Sequence, residues 1–251
     1  KREILNLKGV RLASGSKPFD LSFFENEVVS ITGLIGSGKT TLASQIFGLD
    51  PNSKVKMTLN GDAYKPKSPK EAIAAGVFMC PKDRASNAVV SEFDISNNLA
   101  LPFLKRHSRL SFLRSKSLAQ NARNSIDKLG IVCQSEMDSV TTLSGGNQQK
   151  VMVGRWLAEE SSVLLLDEPF QGVDIKARRD IGLQIRSTSS QRATLIFVAE
   201  LDEALEIADR VIVLHEGNLV GEYQNKRKNI PEIVSSFSGS AYNQDSSNYG
   251  T

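Results

Sequence analysis

The sequence predicts an α/β fold: a parallel sheet wound by helices, opened by an antiparallel β layer and interrupted by a long helical stretch. Three observations predict it. A glycine-rich loop over residues 33–40 joins the apolar run 28–31 to a helix-compatible segment over 41–47. After residue 160, strand-like and helix-like segments alternate: strand 163–166, helix 177–186, strand 194–198, helix 202–208 and strand 210–214. From about residue 94 to 137 the apolar residues instead recur near a 3.6-residue period, as amphipathic helices require.

From the N-terminus onward, residues 2–12 and 17–31 alternate apolar and polar side chains and are expected as strands of the opening antiparallel layer. Residues 55–59 add a strand, and Asn60-Gly61 behind it favours the positive φ angles of a two-residue hairpin turn. Residues 76–80 read as a buried strand stopped by Pro81. In the helical stretch Ile95, Leu99, Leu101 and Leu104, then Leu118, Ala122, Ile126 and Leu129, mark the buried faces. Residues 148–158 read as a further helix. Residues 235–251, rich in Ser, Asn, Gly and Tyr, are expected as a disordered segment or an appended tail, which leaves one domain over 1–234.

The loop Gly33-Leu34-Ile35-Gly36-Ser37-Gly38-Lys39-Thr40 fits G-x-x-x-x-G-K-[ST], with the strand before it and the helix after it that the motif needs. Its glycines let the backbone turn tightly and aim N–H groups at phosphate oxygens, and the helix from Thr41 offers the positive end of its dipole. Lys39 is placed to reach the β- and γ-phosphates of ATP, and Thr40 to set its hydroxyl on Mg2+. The loop and its flanks resemble the core of a P-loop NTPase. Four apolar residues then carry 163–166 through the sheet and release Asp167 and Glu168 at the edge where open parallel sheets bind ligands. Asp167 suits the metal, directly or through a water. Glu168, on the other side of the strand, can polarise a water for in-line attack on the γ-phosphate. Alone, the pair reads equally well as a solvated acidic turn.

A third motif, Leu143-Ser144-Gly145-Gly146-Asn147-Gln148, stands before the helix over 148–158. Ser144 and the glycine N–H groups can grip a phosphate, although these residues alone describe only a capped helix start. With the other two motifs in this order, the chain resembles the nucleotide-binding domain of the ATP-binding cassette superfamily, whose signature reads L-S-G-G-[QN]. The likeness runs over about residues 5–225. The finer spelling of residues 143–150, of Pro81-Lys82-Asp83-Arg84 and of Gly172-Val173-Asp174 resembles the second cassette of bacterial carbohydrate importers.

That resemblance implies a head-to-tail pair of cassettes in which Ser144, Gly145, Gly146, Asn147 and Gln148 are offered to the ATP of the partner cassette. It implies that the helical stretch, about residues 85–142, is the subdomain facing the membrane. It also implies membrane-spanning permease subunits as separate chains, a periplasmic or extracellular solute-binding protein as an indirect partner, and a peripheral position on the cytoplasmic side of the cell membrane. Importers of this kind carry both cassettes in one polypeptide, so the chain is expected to be an excised carboxy-terminal half or an equivalent separate subunit.

Two positions depart from the family pattern. The loop Gln that touches the metal aligns with Lys82, and a cation cannot ligate magnesium. Lys82 is left to meet a phosphate, an acidic membrane-domain residue or solvent. The switch His aligns with Ala199, ahead of Glu200, which removes a side-chain donor to the γ-phosphate. Lys39 pulls the other way, since similar second cassettes often carry Arg there, and ATP binding is the safer expectation than rapid hydrolysis. The family also stacks adenine on an aromatic upstream of the loop, where residues 9–14 have none; Phe19 is the substitute, or else a core residue.

Composition sets the outer limits. The 251 residues, 40% of them hydrophobic, suffice for a sizeable core, and a formal net charge of +3 without interleaved aromatics does not point to nucleic acid. No apolar run approaches the ~18 residues of a membrane helix, so a soluble chain is expected. Cys80 and Cys133 fit neither a disulfide framework nor a metal site and are expected as buried thiols in a reducing cytosol. His107 and His215 have no His or Cys at ligand spacing and are not expected to bind metal. The basic cluster Lys105, Arg106, Arg109, Arg114 and Lys116 is either a solvated face or a contact for lipid headgroups or acidic surfaces. Two other functions compete with transport: a regulatory ATP-binding cassette that does not hydrolyse, and a soluble cassette ATPase acting outside membranes.

Overall fold

The computed structural model describes residues 1–82, 89–109, 112–113 and 115–238. In chain order its elements are β1 (Glu3–Val10), β2 (Phe19–Phe24), β3 (Glu27–Thr32), α1 (Lys39–Phe47), β4 (Lys56–Leu59), β5 (Asp62–Tyr64), α2 (Pro69–Ala74) and β6 (Val77–Cys80). Then follow α3 (Ile95–Ala100), β7 (Ser108–Arg109), β8 (Phe112–Leu113), α4 (Ser115–Leu129), α5 (Gly145–Leu157), β9 (Val163–Asp167) and α6 (Ile175–Ser187). The chain closes with β10 (Ala193–Val198), α7 (Leu201–Ile207), β11 (Arg210–His215), β12 (Asn218–Gln224) and α8 (Ile230–Phe237). Two compact units divide it: residues 1–79, 161–168 and those from 189 onward form the first, and 80–160 with 169–188 the second.

The first unit holds both large sheets. One has six strands in the order β12-β11-β3-β10-β9-β6, with β9, β10, β3 and β11 parallel and β12 antiparallel at the edge. The other is antiparallel, in the order β2-β1-β4-β5. Every residue of β3, β9 and β10 is buried, as central parallel strands covered on both faces must be. This corrects the reading of residues 17–31 as a single antiparallel stretch. Asn26, at φ 58°, breaks it; β2 stays beside β1, whereas β3 enters the other sheet between β10 and β11. The alternation misleads because Ser30 is polar yet fully buried, its Oγ donating to the Ala204 carbonyl at 3.4 Å.

Asn60 and Gly61, at φ 53° and 89°, make the expected two-residue turn between β4 and β5. Glu216 and Gly217, at φ 47° and 78°, make another between β11 and β12. The sequence reading did not find β12, α2 or α8. For α2 the signal was present: Ser68 accepts the Glu71 N–H at 3.4 Å, Pro69 takes the first turn, and the Glu71 carboxylate accepts the Lys67 N–H at 2.9 Å. Helix α8 runs through Phe237, beyond the expected domain end at 234, so the expected tail loses its first residues; residues 239–251 lie outside those described.

Apolar side chains from both sheets and α1, among them Leu5, Phe23, Ile31, Leu42, Ile46 and Phe197, form the core of this unit. One buried cation bolts its layers together. Arg210 on β11 donates from Nη2 to Glu27 Oε2 on β3 at 2.7 Å and to the Ser22 carbonyl on β2 at 2.8 Å, pairs through Nη1 with Glu222 on β12, and lies over the ring of Phe23 at 5.6 Å. Burial alone lowers the pKa of this guanidinium, but its hydrogen bonds and charge pairing with Glu27 and Glu222 more than offset that and leave it raised.

The second unit contains α3 to α6 and the short β7–β8 pair. Its core joins Ile95 and Leu99 of α3 to Ala122 and Leu129 of α4 and Val151 of α5. The 3.6-residue period of α4 holds, whereas Leu101 and Leu104 are only half-buried, in a 3-10 segment. Helix α5 begins three residues earlier than expected, because Ser144 caps it. Lys150 of α5 bonds the Gly130 carbonyl at 2.9 Å and Asp180 of α6 at 2.7 Å, which fastens three helices at one ammonium. Cys80 is buried, but Cys133 is only half-buried, so the expectation of two buried thiols is corrected for it; partial burial, with Asp138 and Glu136 close by, raises its thiol pKa. Among the described residues no helix is long and apolar enough to cross a membrane.

Substituting Arg210→Met strands the Glu27 carboxylate in the core and is expected to cost about 3–5 kcal/mol in urea unfolding, with part recovered in Arg210→Met/Glu27→Gln, where the one carboxylate that loses its partner, Glu222, is 40% exposed.

Candidate functional site

The glycine-rich loop leaves the end of β3 and enters α1, and its shape follows from three residues without side chains. Gly33, Gly36 and Gly38 have φ of 154°, 82° and 102°. A Cβ at Gly33 would stand 2.2 Å from the Leu214 carbonyl oxygen, and one at Gly38 would stand 2.8 Å from Leu12 Cβ. The first contact is with backbone and cannot yield. Within the loop the Ser37 N–H donates to the Leu34 carbonyl at 3.1 Å, and from outside the Gly217 N–H donates to the Ser37 carbonyl at 3.1 Å. Lys39 is buried and its ammonium donates to the Gly33 carbonyl, folding the cation back across the loop. Thr40 is exposed and Thr41 half-buried, while Leu34 and Ile35 lie exposed at the tip. Helix α1 has no side-chain cap and no acidic residue in its first turn, so its N-terminal dipole faces the loop without a resident anion.

Asp167 and Glu168 stand at the end of β9, both buried. Glu168 adopts φ 49°, its N–H donates to the Phe197 carbonyl at 2.8 Å, and its Oε2 accepts the Ala199 N–H at 3.3 Å. Ala199 is therefore at the site and meets Glu168 through its backbone, a contact that no side-chain pattern announces. Two hydroxyls were also missed. Thr32 Oγ1, at the end of β3, and Ser37 Oγ, in the loop, are buried with no hydrogen-bond partner among the described residues. Such groups, a bare helix N-terminus and an ammonium fit a polyanion. For Mg2+ the donor chemistry also fits, since Asp167 and Thr40 offer a carboxylate and a hydroxyl, both hard oxygen donors. No group of three acidic, His or Cys side chains that could hold a metal ion forms among the described residues.

In the second unit Ser144 caps α5, accepting the Asn147 N–H at 3.4 Å and the Asn147 amide at 3.1 Å. Gln148 Nε2 donates to the Leu143 carbonyl at 3.1 Å, and Asn147 Oδ1 accepts the Val132 N–H at 3.1 Å. A Cβ at Gly146 would stand 3.3 Å from Ala177 Cβ, so this first turn packs closely on α6. Lys82 is exposed in the same unit, after β6. Phe19 is half-buried against the core of the first unit, which favours its core role. Of the basic cluster, the side chains of Lys105, Arg106 and Arg109 and the whole of Arg114 lie outside the described residues, as do Asp83, Arg84 and the side chain of His107, while Lys116 is exposed.

Comparison with known proteins places these features in a family. The model of the ABC transporter family matches residues 16–171. The chain is 35% identical over 237 residues to the ribose import ATP-binding protein RbsA 2 of Rubrobacter xylanophilus, covering 94% of this chain and 46% of that protein. It is 35% identical over 219 residues to the arabinose import ATP-binding protein AraG of Rhizobium etli, covering 86% and 43%. With the galactose/methyl galactoside import ATP-binding protein MglA of Fusobacterium nucleatum it shares 32% over 238 residues, covering 93% and 48%. The chain thus spans about half the length of these relatives. Among solved structures, a nucleotide-free ATP-binding cassette from an ABC transporter superposes with a TM-score of 0.77 at 20% identity, over 93% of this chain and 95% of that one. The ADP conformation of the cassette MJ1267 superposes at 0.78 and 20%, over 95% and 100%, so the fold is shared.

Substituting Gly33→Ala forces a methyl group against the Leu214 carbonyl. The expected result is a loss of at least about 2 kcal/mol of stability and of most nucleotide binding, read by urea unfolding and by titration with a fluorescent ATP analogue.

Proposed function

The chain belongs to the ABC transporter family, and from that premise we propose that it is the ATPase cassette of a carbohydrate importer, driven by ATP-dependent pairing with a second cassette. The observation that carries the reading is the phosphate loop, with its backbone-limited glycine at position 33, inward-folded Lys39 and uncapped α1, on the same sheet edge as Asp167 and Glu168. The named sugar import relatives support a sugar as cargo.

In this proposal residues 33–41 bind the triphosphate, and Lys39 exchanges its bond to the Gly33 carbonyl for phosphate oxygens. Thr40 and Asp167 hold Mg2+, which when bound neutralises phosphate charge. Glu168, its carboxylate steadied by the Ala199 N–H, orients the attacking water and accepts its proton. Ser144 and the first turn of α5 serve the ATP held by the partner cassette. Closure on ATP and reopening after hydrolysis move permease subunits at the cytoplasmic face of the membrane, with a solute-binding protein delivering the sugar on the other side. The domain proper covers residues 1–234, continued by the rest of α8. One observation favours a second reading, a regulatory cassette that binds ATP with little turnover: Ala199 brings only a backbone N–H, and no side chain, to Glu168.

Lys39→Ala is expected to weaken ATP about 10- to 100-fold in equilibrium titration, the worth of one charge-assisted bond. Unchanged affinity overturns the loop assignment. Glu168→Gln is expected to retain nucleotide binding while turnover of the assembled pair with Mg2+ falls by at least about 100-fold. A wild type that turns over no faster than this variant selects the regulatory reading.

A further inference from the structure

Leu7, Met57 and Tyr64 stand opposite one another on β1, β4 and β5 and are buried in the core of the first unit. One residue along, the pattern turns outward. Lys8 pairs with Lys56, and the register of β4 with β5, carried one residue past Tyr64, sets Lys65 on the other side of Lys56. The alternation continues along both chain segments, since Lys54 and Lys67 are exposed while Val55 and Pro66 are buried. The same register sets Lys54 opposite Lys67. Two rows of exposed lysines thus share one face of the antiparallel sheet, on a backbone lattice of ~4.8 Å between strands and ~6.8 Å between alternate residues of a strand.

Their charge is left unpaired. Among the described residues none of the five lysines forms an ion pair. The next row on the same face, Asn6, Thr58 and Ala63, is uncharged. Of the neighbouring acids, Asp20 on β2 accepts the Gly9 N–H at 2.8 Å and Glu71 accepts the Lys67 N–H at 2.9 Å. Like charges directly opposite one another weaken a sheet. Protection of a free edge accounts for Lys65 beside β5 but not for Lys8 and Lys56, because β1 and β4 are interior strands.

The kind of partner follows from what the face lacks. Strands β1, β4 and β5 carry no arginine fork to grip a phosphate, no exposed aromatic on which a base could stack and no exposed large apolar side chain to enter a bilayer. The edge strand β5 has three residues and Pro66 stands two beyond it, so an added strand finds few backbone partners there. What remains is a ruled lattice of point charges. An extended polypeptide presents alternate side chains on one face at the same ~6.8 Å, so carboxylates at every second residue match the lysines along a strand.

We propose that this face is a docking surface for an acidic, extended segment of another protein, with Asp or Glu at alternate positions, held by Lys8, Lys54, Lys56, Lys65 and Lys67. Such docking requires nothing of the ATP site.

The test is fluorescence anisotropy of a labelled peptide of six Glu-Ser repeats, titrated with the chain at low salt. A Kd below about 1 mM is expected, as a handful of exposed charge pairs allows, with at least about tenfold weakening between about 50 and about 300 mM salt and no binding of the matching Gln-Ser peptide. Lys56→Gln/Lys65→Gln is expected to weaken the Glu-Ser peptide at least about fivefold. The control Lys226→Gln/Lys228→Gln, which removes the same charge from exposed residues elsewhere in the chain, is expected to change it less than about twofold. Both variants are expected to keep their affinity for a fluorescent ATP analogue, and the first to unfold at a urea concentration no lower than wild type, because a repulsion is relieved. Absent peptide binding, equal weakening by the two variants, a lower urea midpoint in the first, or tighter binding of the wild type to phosphatidylglycerol vesicles or single-stranded DNA than to the peptide overturns the docking surface.

Discussion

A carbonyl that comes within 2.2 Å of where a side chain at Gly33 would begin sets the geometry on which the rest of this site depends. Strands β3 and β11 are neighbours in the sheet, and the end of β11 leans over the start of the loop. Because the intruding atom is backbone, the approach is fixed by the sheet itself and is not relieved by a rotamer change. Around it the Lys39 ammonium returns to the Gly33 carbonyl and the Gly217 N–H, just past β11, bonds the Ser37 carbonyl of the loop. The loop is thus pre-shaped by the fold, and little ordering is left for a ligand to impose.

Rigidity at the other half of the site is achieved differently. Glu168 sits in a backbone conformation that glycine adopts freely and glutamate does not, and hydrogen bonds to its N–H and to its carboxylate hold it there. Glycine would relieve the strain but bring no carboxylate. Further from the chemistry, the Arg210 bolt plays a comparable part, fixing β2, β3, β11 and β12 to one another through a single guanidinium. Buried charge of this kind is costly unless fully paired, so it specifies one arrangement of the layers more than it adds to their stability.

What could be read from the residues was whatever depends on local chemistry. The loop, the parallel strands at 163–166 and 194–198, the Asn60-Gly61 turn and the cap at Ser144 all announce themselves through residue type and spacing. Where backbone geometry or long-range packing decides, the reading stopped. Nothing in the pattern of residues 17–31 reveals that Asn26 divides it between two sheets, since Ser30 looks exposed and is not. Ala199 was legible only as a missing side chain, whereas its contribution is an N–H. Gln149 passed as part of a helix face because its partner is a carbonyl twenty residues on. Strand β12, with no fully buried residue, gives too little hydrophobic contrast to be noticed.

The two hairpin turns invite a different comparison, of how freely each can be rebuilt. Both are two-residue turns with positive φ at each position. Around Gly61 a Cβ would meet nothing within 4 Å, so the turn between β4 and β5 is a place where a tag, a longer loop or a fluorophore can be accommodated. Around Gly217 a Cβ would press on Ala13 Cβ at 2.7 Å, and the Gly217 N–H donates to the Ser37 carbonyl of the phosphate loop. Similar in local geometry and both at a strand end, the β11–β12 turn has no room to grow, and its length belongs to the nucleotide site as much as to the hairpin.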